Sequence, residues 1–415
     1  EGSDTAVIAD TGGTTYDVSL VRRGRIPWTR ETWIGQPYRG HMTGFPSVDV
    51  KSIGAGGGSI AWVDDGGMLH VGPQSAGAVP GPSCYGQGGD KPTVTDASLV
   101  LGYLDPEFFL GGSMGLDLEA ARGAIERDVA KPMGIGLEDA AAAIIAIATE
   151  NMVQAIVDIT VNQGIDPRDA ILIGGGGAAG LNSTAIGRRL GSERVVIPEV
   201  GAALSAAGAM MSDLHSQYTR TFFATSEAFD AAGVNQILDG LEARCNAFIN
   251  GPGAGSISQT IEFFAEARYP EQVWEIEVPL ASPRFESDAD VAALVEEFHK
   301  VHEDIFAIND PESSIEVVGW TASVKCLLKE TESGSLAAAE EAASADGTRK
   351  VYFAETGYVD ATVRRFEAMK AGETLPGPAI IESPFTTVVV DPGATAERRE
   401  SGSVSIVPGV APAAK

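Results

Sequence analysis

Ala6-Val7-Ile8-Ala9-Asp10-Thr11-Gly12-Gly13-Thr14-Thr15-Tyr16-Asp17-Val18-Ser19-Leu20 is the stretch from which the rest of the chain can be organised. Ala6 to Ala9 is an apolar run that predicts a buried strand, and Tyr16 to Val21 alternates as a second one. Between them lie an acid, two glycines and two threonines, which predicts a tight turn with a carboxylate at its tip. Gly12 and Gly13 can take φ > 0 and leave room for a close approach. Backbone N–H groups there, with the hydroxyls of Thr14 and Thr15, suit phosphate oxygens. Asp10 and Asp17 carry the wrong charge for phosphate itself, and fit if a divalent cation or an attacking water lies between. An ordinary glycine-rich hairpin satisfies the same residues, and Asp17 serves equally well as a turn stabiliser.

A second signal lies far downstream. Asp169 to Ile173 predicts another short strand, followed by Gly174-Gly175-Gly176-Gly177-Ala178-Ala179-Gly180-Leu181-Asn182 and a helix from Ser183 to Leu190. Strand, glycine turn, helix is how a backbone comes close to a flat or phosphorylated ligand. Gly175, Gly177 and Gly180 fit G-x-G-x-x-G, but no acid follows a second strand at the dinucleotide-binding spacing, and there is no G-x-x-x-x-G-K-[ST] loop. Two such glycine turns resemble the actin, sugar-kinase and chaperone ATPase superfamily. The resemblance implies that Asp10 to Leu20 is a β/γ-phosphate hairpin. It also implies that Ile171 to Gly177 is the adenosine motif, with Gly174, Gly175, Gly176, Gly177 and Asn182 on the nucleotide.

Three further blocks narrow the resemblance. They are Ile53-Gly54-Ala55-Gly56-Gly57-Gly58-Ser59-Ile60-Ala61, the run Val71 to Gly86 (VGPQSAGAVPGPSCYG), and Pro92-Thr93-Val94-Thr95-Asp96-Ala97. Together they are similar to the hydantoinase A/5-oxoprolinase/acetone (acetophenone) carboxylase family, from Asp10 to about Met211 and more weakly to the end. The resemblance implies ATP with Mg²⁺ (or Mn²⁺), and phosphorylation of a carbonyl oxygen. Either a cyclic amide is then hydrolysed or a ketone carboxylated. Asp10 is the expected catalytic acid and metal ligand, with Gly12, Gly13, Thr14, Thr15 and Asp17 around it. Ser59 either reaches a phosphate or caps a helix. The Pro- and Gly-rich loop Gly72 to Pro82 suits a binding wall or a packing seam, the seam being preferred. Arg268, Tyr269 and Gln272 match an RYxGQ pattern of the family only in part, because Glu271 stands where glycine is expected.

A buried strand this near residue 1 implies, by the resemblance, dependence on the N-terminal hydantoinase A lobe, supplied as a separate chain or segment. A hydantoinase B-type subunit is the partner expected for the second chemical step. The chain has no Ser-His-Asp or Cys-His arrangement and no H-E-x-x-H of its own. The other readings are a non-catalytic scaffold subunit and a chaperone- or sugar-kinase-like nucleotide module.

The chain has 415 residues with a formal charge of −28, which argues against nucleic acid and anionic membrane surfaces as partners. No run of about 18 apolar residues stands out, so no transmembrane helix is expected. Cys84, Cys245 and Cys326 are widely spaced and suit a reducing compartment, and cytoplasmic residence is the plain reading. His299 and His302, at helical spacing, are read as packing or surface residues. The expected fold is α/β. An actin-like, ribonuclease H-like lobe (1–215) is followed by a small α+β domain (216–332), a linker (333–349) and a β-rich C-terminal module (350–415).

Overall fold

Strand β1 (Ala6–Thr11) runs to the first turn, and β2 (Tyr16–Val21) returns antiparallel to it in a computed structural model that describes residues 2–29, 32–35, 39–43, 47–161, 163–328 and 347–409. The strands that follow are β3 (Val50–Ile53), β4 (Ser59–Val63) and β5 (Leu69–Ser75). Helices α1 (Val94–Val100), α2 (Leu118–Ile125) and α3 (Leu137–Val161) come next. The downstream signal folds as β6 (Ile171–Gly175), α4 (Ala179–Leu190), β7 (Val195–Ile197) and α5 (Leu204–Met211).

Alternation along the first hairpin decides what lies on each side. Val7, Ala9, Thr11, Tyr16, Val18 and Leu20 are buried, and the hydrophobic members pack with Met152, Ile156 and Ile159 of α3. Asp10 and Asp17 therefore fall on the opposite face. Helix α3 is long and apolar enough to cross a membrane by length and composition, contrary to the expectation that no such stretch exists. It is instead a core helix, with twelve of its residues, from Ala140 to Thr160, buried in the protein.

Residues 209–332 form a separate unit. Its strands are β8 (Leu214–Thr225), β9 (Ser258–Arg268), β10 (Ile276–Pro279) and β11 (Glu316–Leu327), with α6 (Ala231–Asn250) and α7 (Asp288–Phe306) between them. The sheet order is β8-β11-β9-β10, all antiparallel. The expected boundary at 215 cuts through β8, a strand with almost no alternation in its sequence to announce it. His302 is buried in this unit and its Nε2 accepts from the Gln272 amide nitrogen at 3.1 Å, while its Nδ1 donates to Ile308 O at 2.7 Å, as a packing residue would.

The C-terminal strands do not stand apart as a module. They are β12 (Gly347–Phe353), β13 (Gly357–Arg365), β14 (Thr374–Pro376), β15 (Ala379–Glu382), β16 (Thr387–Val390), β17 (Thr395–Arg398) and β18 (Val404–Val407). They belong to one compact unit with residues 1–208. Strand β18 pairs with β7, so the mixed eight-stranded sheet reads β14-β17-β18-β7-β6-β1-β2-β3. An exposed β7 edge would leave a row of backbone groups unpaired, and the C-terminal strands cover it. Helix α4 lies against the second sheet, β12-β13-β15-β16. Thr184 Oγ1 donates to Val389 O at 2.6 Å, and a Cβ on Gly180 would stand 2.3 Å from Thr387 O. The expected linker falls largely on residues outside those described, and 347–349 are already strand.

All three cysteines are buried and unpaired. Burial and the neighbouring Asp96 push the Cys84 thiol far above its usual range, so it is inert. The imperfect Arg268–Gln272 match also has a structural meaning. Gln272 N donates to Tyr269 O at 3.2 Å, closing a turn in which Glu271 takes φ 69. That left-handed geometry is where the family pattern has glycine. Glu271→Gly should therefore leave stability unchanged or raise it by up to ~1 kcal/mol, while Glu271→Val should lower it by at least ~1 kcal/mol. Urea midpoints of the two variants check this.

Candidate functional site

Strands β1 and β6 lie parallel and in contact, with Ala9 opposite Gly174 and Asp10 opposite Gly175. Asp10 also faces Asp17 across the hairpin, and Asp17 faces Ser52 on β3. Side chains opposite one another in a ladder share a face. Gly175, Asp10, Asp17 and Ser52 thus form one row across four strands. The acid-tipped turn and the tetraglycine corner, distant in sequence, meet at the same end of the sheet.

The turn is closed by Gly12 N donating to Thr15 O at 3.0 Å. Neither Gly12 nor Gly13 uses a positive φ, so that part of the expectation does not hold. The close approach is made by the facing loop instead. Gly57 N donates to Gly12 O at 3.1 Å and Gly58 N to Gly13 O at 2.6 Å, and a Cβ on Gly56 would stand 2.7 Å from Gly12 O. The hairpin's carbonyls are covered while, among the described residues, nothing accepts from the N–H of Gly13, Thr14 or Gly177. All three residues are exposed. Free amides beside covered carbonyls leave a donor-rich tip, the electrostatics an anion needs.

The remaining motif blocks hold that tip. Thr95 donates to Gly57 O through both its N–H and its Oγ1, each at 2.8 Å. Ala76 N donates to Gly58 O at 2.9 Å, and Ser75 Oγ lies 3.2 Å from Thr14 Oγ1. The loop preferred as a packing seam thus reaches the hairpin tip, and Ser75 joins the candidate site. Asp96 fixes the loop from behind. Its buried carboxylate accepts from Thr93 Oγ1 (2.7 Å) and from the N–H groups of Cys84 (2.7 Å), Thr93 (2.9 Å) and Ser83 (3.2 Å). The signal was available in sequence, since Thr93-x-x-Asp96 is a capping box at the start of α1.

The four corner glycines divide by role. A Cβ on Gly174 would meet Ile197 Cδ1 at 2.6 Å, and one on Gly175 would meet Leu204 at 2.6 Å, so both serve packing. Gly176 takes φ 87, and a Cβ there would lie 2.2 Å from Thr11 O and 2.5 Å from Asp10 Oδ1. Only Gly177 is exposed. Its carbonyl accepts from Thr386 Oγ1 at 3.2 Å.

Two expected ligands drop out. Ser59 is a fully buried strand residue whose Oγ accepts from Gly56 N at 2.8 Å, so it neither reaches the tip nor caps a helix. Asn182 is 2% exposed on α4, and its amide donates to Thr149 at 2.8 Å. Ser205 was missed: its Oγ donates to Asp10 Oδ2 at 2.6 Å, across 195 residues of chain, with no local signal to reveal it. Asp17 accepts from Thr15 Oγ1 at 3.0 Å. Among the described residues neither Asp10 nor Asp17 has a basic ion-pair partner. Two opposed carboxylates without a counter-ion repel, and a divalent cation between them would relieve that. Two cavities of roughly 530 and 420 Å³, around Trp62 and Arg127 and around Lys51 and Asp158, include none of Asp10, Asp17 and Gly177 among their lining residues.

The pattern of the Hydantoinase/oxoprolinase family matches residues 1–218, and that of the Hydantoinase/oxoprolinase C-terminal domain matches 225–399. Caprolactamase subunit alpha of Pseudomonas jessenii is 37% identical over 98% of this chain and 59% of its own length. The crystal structure of the ATP-dependent caprolactamase of that organism superimposes with a TM-score of 0.83 at 36% identity, over 98% of this chain and 59% of that one. A nucleotide-free acetone carboxylase structure gives 0.75 at 25% identity, over 98% and 58%. The chain therefore spans about three-fifths of the length of these relatives.

Gly176→Ala should cost about 2–5 kcal/mol, from left-handed strain plus overlap with Thr11 and Asp10. Gly13→Ala, with nothing within 4 Å of the added carbon, should stay within about 0.5 kcal/mol of the parent. Chemical denaturation of the pair tests whether the corner, and not the tip, is the packed element.

Proposed function

The chain belongs to the hydantoinase/oxoprolinase family, and we propose that it binds ATP with Mg²⁺ (or Mn²⁺) and activates a carbonyl oxygen by phosphorylation. One observation carries the reading: Asp10 and the glycine corner sit side by side, with the free amides of Gly13, Thr14 and Gly177 at the same end of the sheet. On this reading the sheet is the core of an actin-like ATPase lobe. The amides and the Thr14–Ser75 hydroxyl pair hold the phosphate oxygens, with Gly177 towards the nucleoside, while Thr15 gives its hydroxyl proton to Asp17. Asp10 and Asp17 are the residues to hold the cation, which when bound neutralises phosphate charge and orients the terminal group. Asp10, steadied by Ser205, also orients the attacking group. Positioning and charge neutralisation suffice for this chemistry, and no protein nucleophile is needed.

The preferred substrate is a cyclic amide, supported by the 37% identity to a caprolactamase subunit. The phosphorus–oxygen bond to the nucleotide breaks as one to the amide oxygen forms. Water then adds at the carbon, the carbon–nitrogen bond opens with the proton passing to the departing amine, and the acyl phosphate left behind is split by a second water into carboxylate and phosphate. Carboxylation of a ketone is the second reading, supported by the fold shared with acetone carboxylase. The ring-opening or carboxylating step falls to a hydantoinase B-type subunit, and the second wall of the nucleotide cleft to the N-terminal hydantoinase A lobe. The open face around Asp10, outside both large cavities, supports that need. Cytoplasmic residence is part of the same proposal.

Asp10→Asn in the assembled complex should reduce substrate-stimulated ATP turnover by about 10²-fold or more while leaving circular dichroism and melting unchanged. Undiminished turnover removes Asp10 from the mechanism. Ser205→Ala should raise the Mg²⁺ concentration giving half-maximal turnover several-fold, and Ser205→Thr should restore it. A metal titration at saturating ATP reads both.

A further inference from the structure

The turn between β15 and β16 brings the backbone of an aromatic residue, Phe385, to the glycine corner. Ser383 N donates to Thr386 O at 2.8 Å, and Ser383 Oγ accepts from the N–H groups of Phe385 and Thr386, each at 3.1 Å. The turn thus satisfies its own backbone and has one shape. It is also pinned from outside. Thr386 Oγ1 bonds Gly177 O, a Cβ on Gly177 would stand 3.4 Å from Phe385 O, and a Cβ on Gly111 would stand 3.0 Å from Pro384. On this fixed mount Phe385 is 71% exposed.

Single exposed apolar residues are common and by themselves need no explanation. Phe385 differs in its placement, because its backbone touches the one corner glycine that is exposed and has a free amide. A planar base has an apolar face, and an aromatic side chain carried on a fixed backbone beside it can stack on that face.

We propose that Phe385 is the base-stacking residue of the nucleotide site, taking the purine of a nucleoside triphosphate whose phosphates lie at Gly13 and Thr14. This rests on the nucleotide reading above and adds the residue that distinguishes a nucleotide from bare polyphosphate. The test uses the protein purified with its accompanying subunits, and measures Mg²⁺-dependent affinity for ATP and for inorganic triphosphate. Phe385→Ala should weaken ATP about ten- to a hundredfold and leave triphosphate unchanged, and Phe385→Trp should retain ATP binding. Unaltered ATP affinity in Phe385→Ala, or parallel loss of ATP and triphosphate, overturns the stacking role alone. Absence of ATP binding by the unsubstituted protein overturns the nucleotide reading and the stacking with it.

Discussion

The parallel pairing of β1 with β6, in the register that sets Asp10 opposite Gly175, is the constraint on which the candidate site depends. A slip of one residue would turn Asp10 onto the α3 face and bury an unpaired carboxylate among Tyr16, Met152 and Ile156. Burial of Val7, Ala9, Val18 and Leu20 against α3 excludes that slip. The hydrophobic core thus fixes where the charged groups stand, and the glycines let the strand ends approach closely enough to use the arrangement. Gly176 is the tightest example, since any side chain there would collide with Thr11 and Asp10.

Much of this could be read from sequence, for a local reason. The strands and turns around Asp10 and Gly174 are written by residues within a few positions, although β6 lies two residues later than expected and α4 begins at Ala179 and not Ser183. What could not be read depends on partners far away. Ser205 and Phe385 carry no local mark, and each acquires its place only through contacts to Asp10 and Gly177 across the fold. Ser59 and Asn182 erred in the opposite sense. A polar residue next to a glycine turn reads as a ligand, yet each spends its hydrogen bond inside the protein, on Gly56 and on Thr149.

Strand β8 escaped notice because only Ala224 on it is fully buried, so the alternation that announces a strand is almost absent. The C-terminal strands were recognised as β-rich, but a strand's own pattern does not say which sheet it completes. Here the open edge of β7 and the backbone of α4 at Gly180 decide, and both lie more than 150 residues earlier in the chain. Sequence spacing suggested a separate module for the same reason that it missed Phe385.

The charge arrangement argues for linked binding at the site. Among the described residues, Asp10 and Asp17 face each other with only hydroxyl donors, Ser205 and Thr15, to offset their repulsion. A triphosphate brought to the neighbouring amides would add negative charge to the same end of the sheet, on a chain whose formal charge is already −28. A divalent cation alone would meet two carboxylates, fewer protein ligands than its coordination shell takes. Each ligand therefore supplies what the other lacks: the cation removes the repulsion, and the phosphate completes the cation's shell. On the proposed reading the two affinities must be reciprocally coupled, because linkage requires that whatever the cation does for the nucleotide, the nucleotide does for the cation.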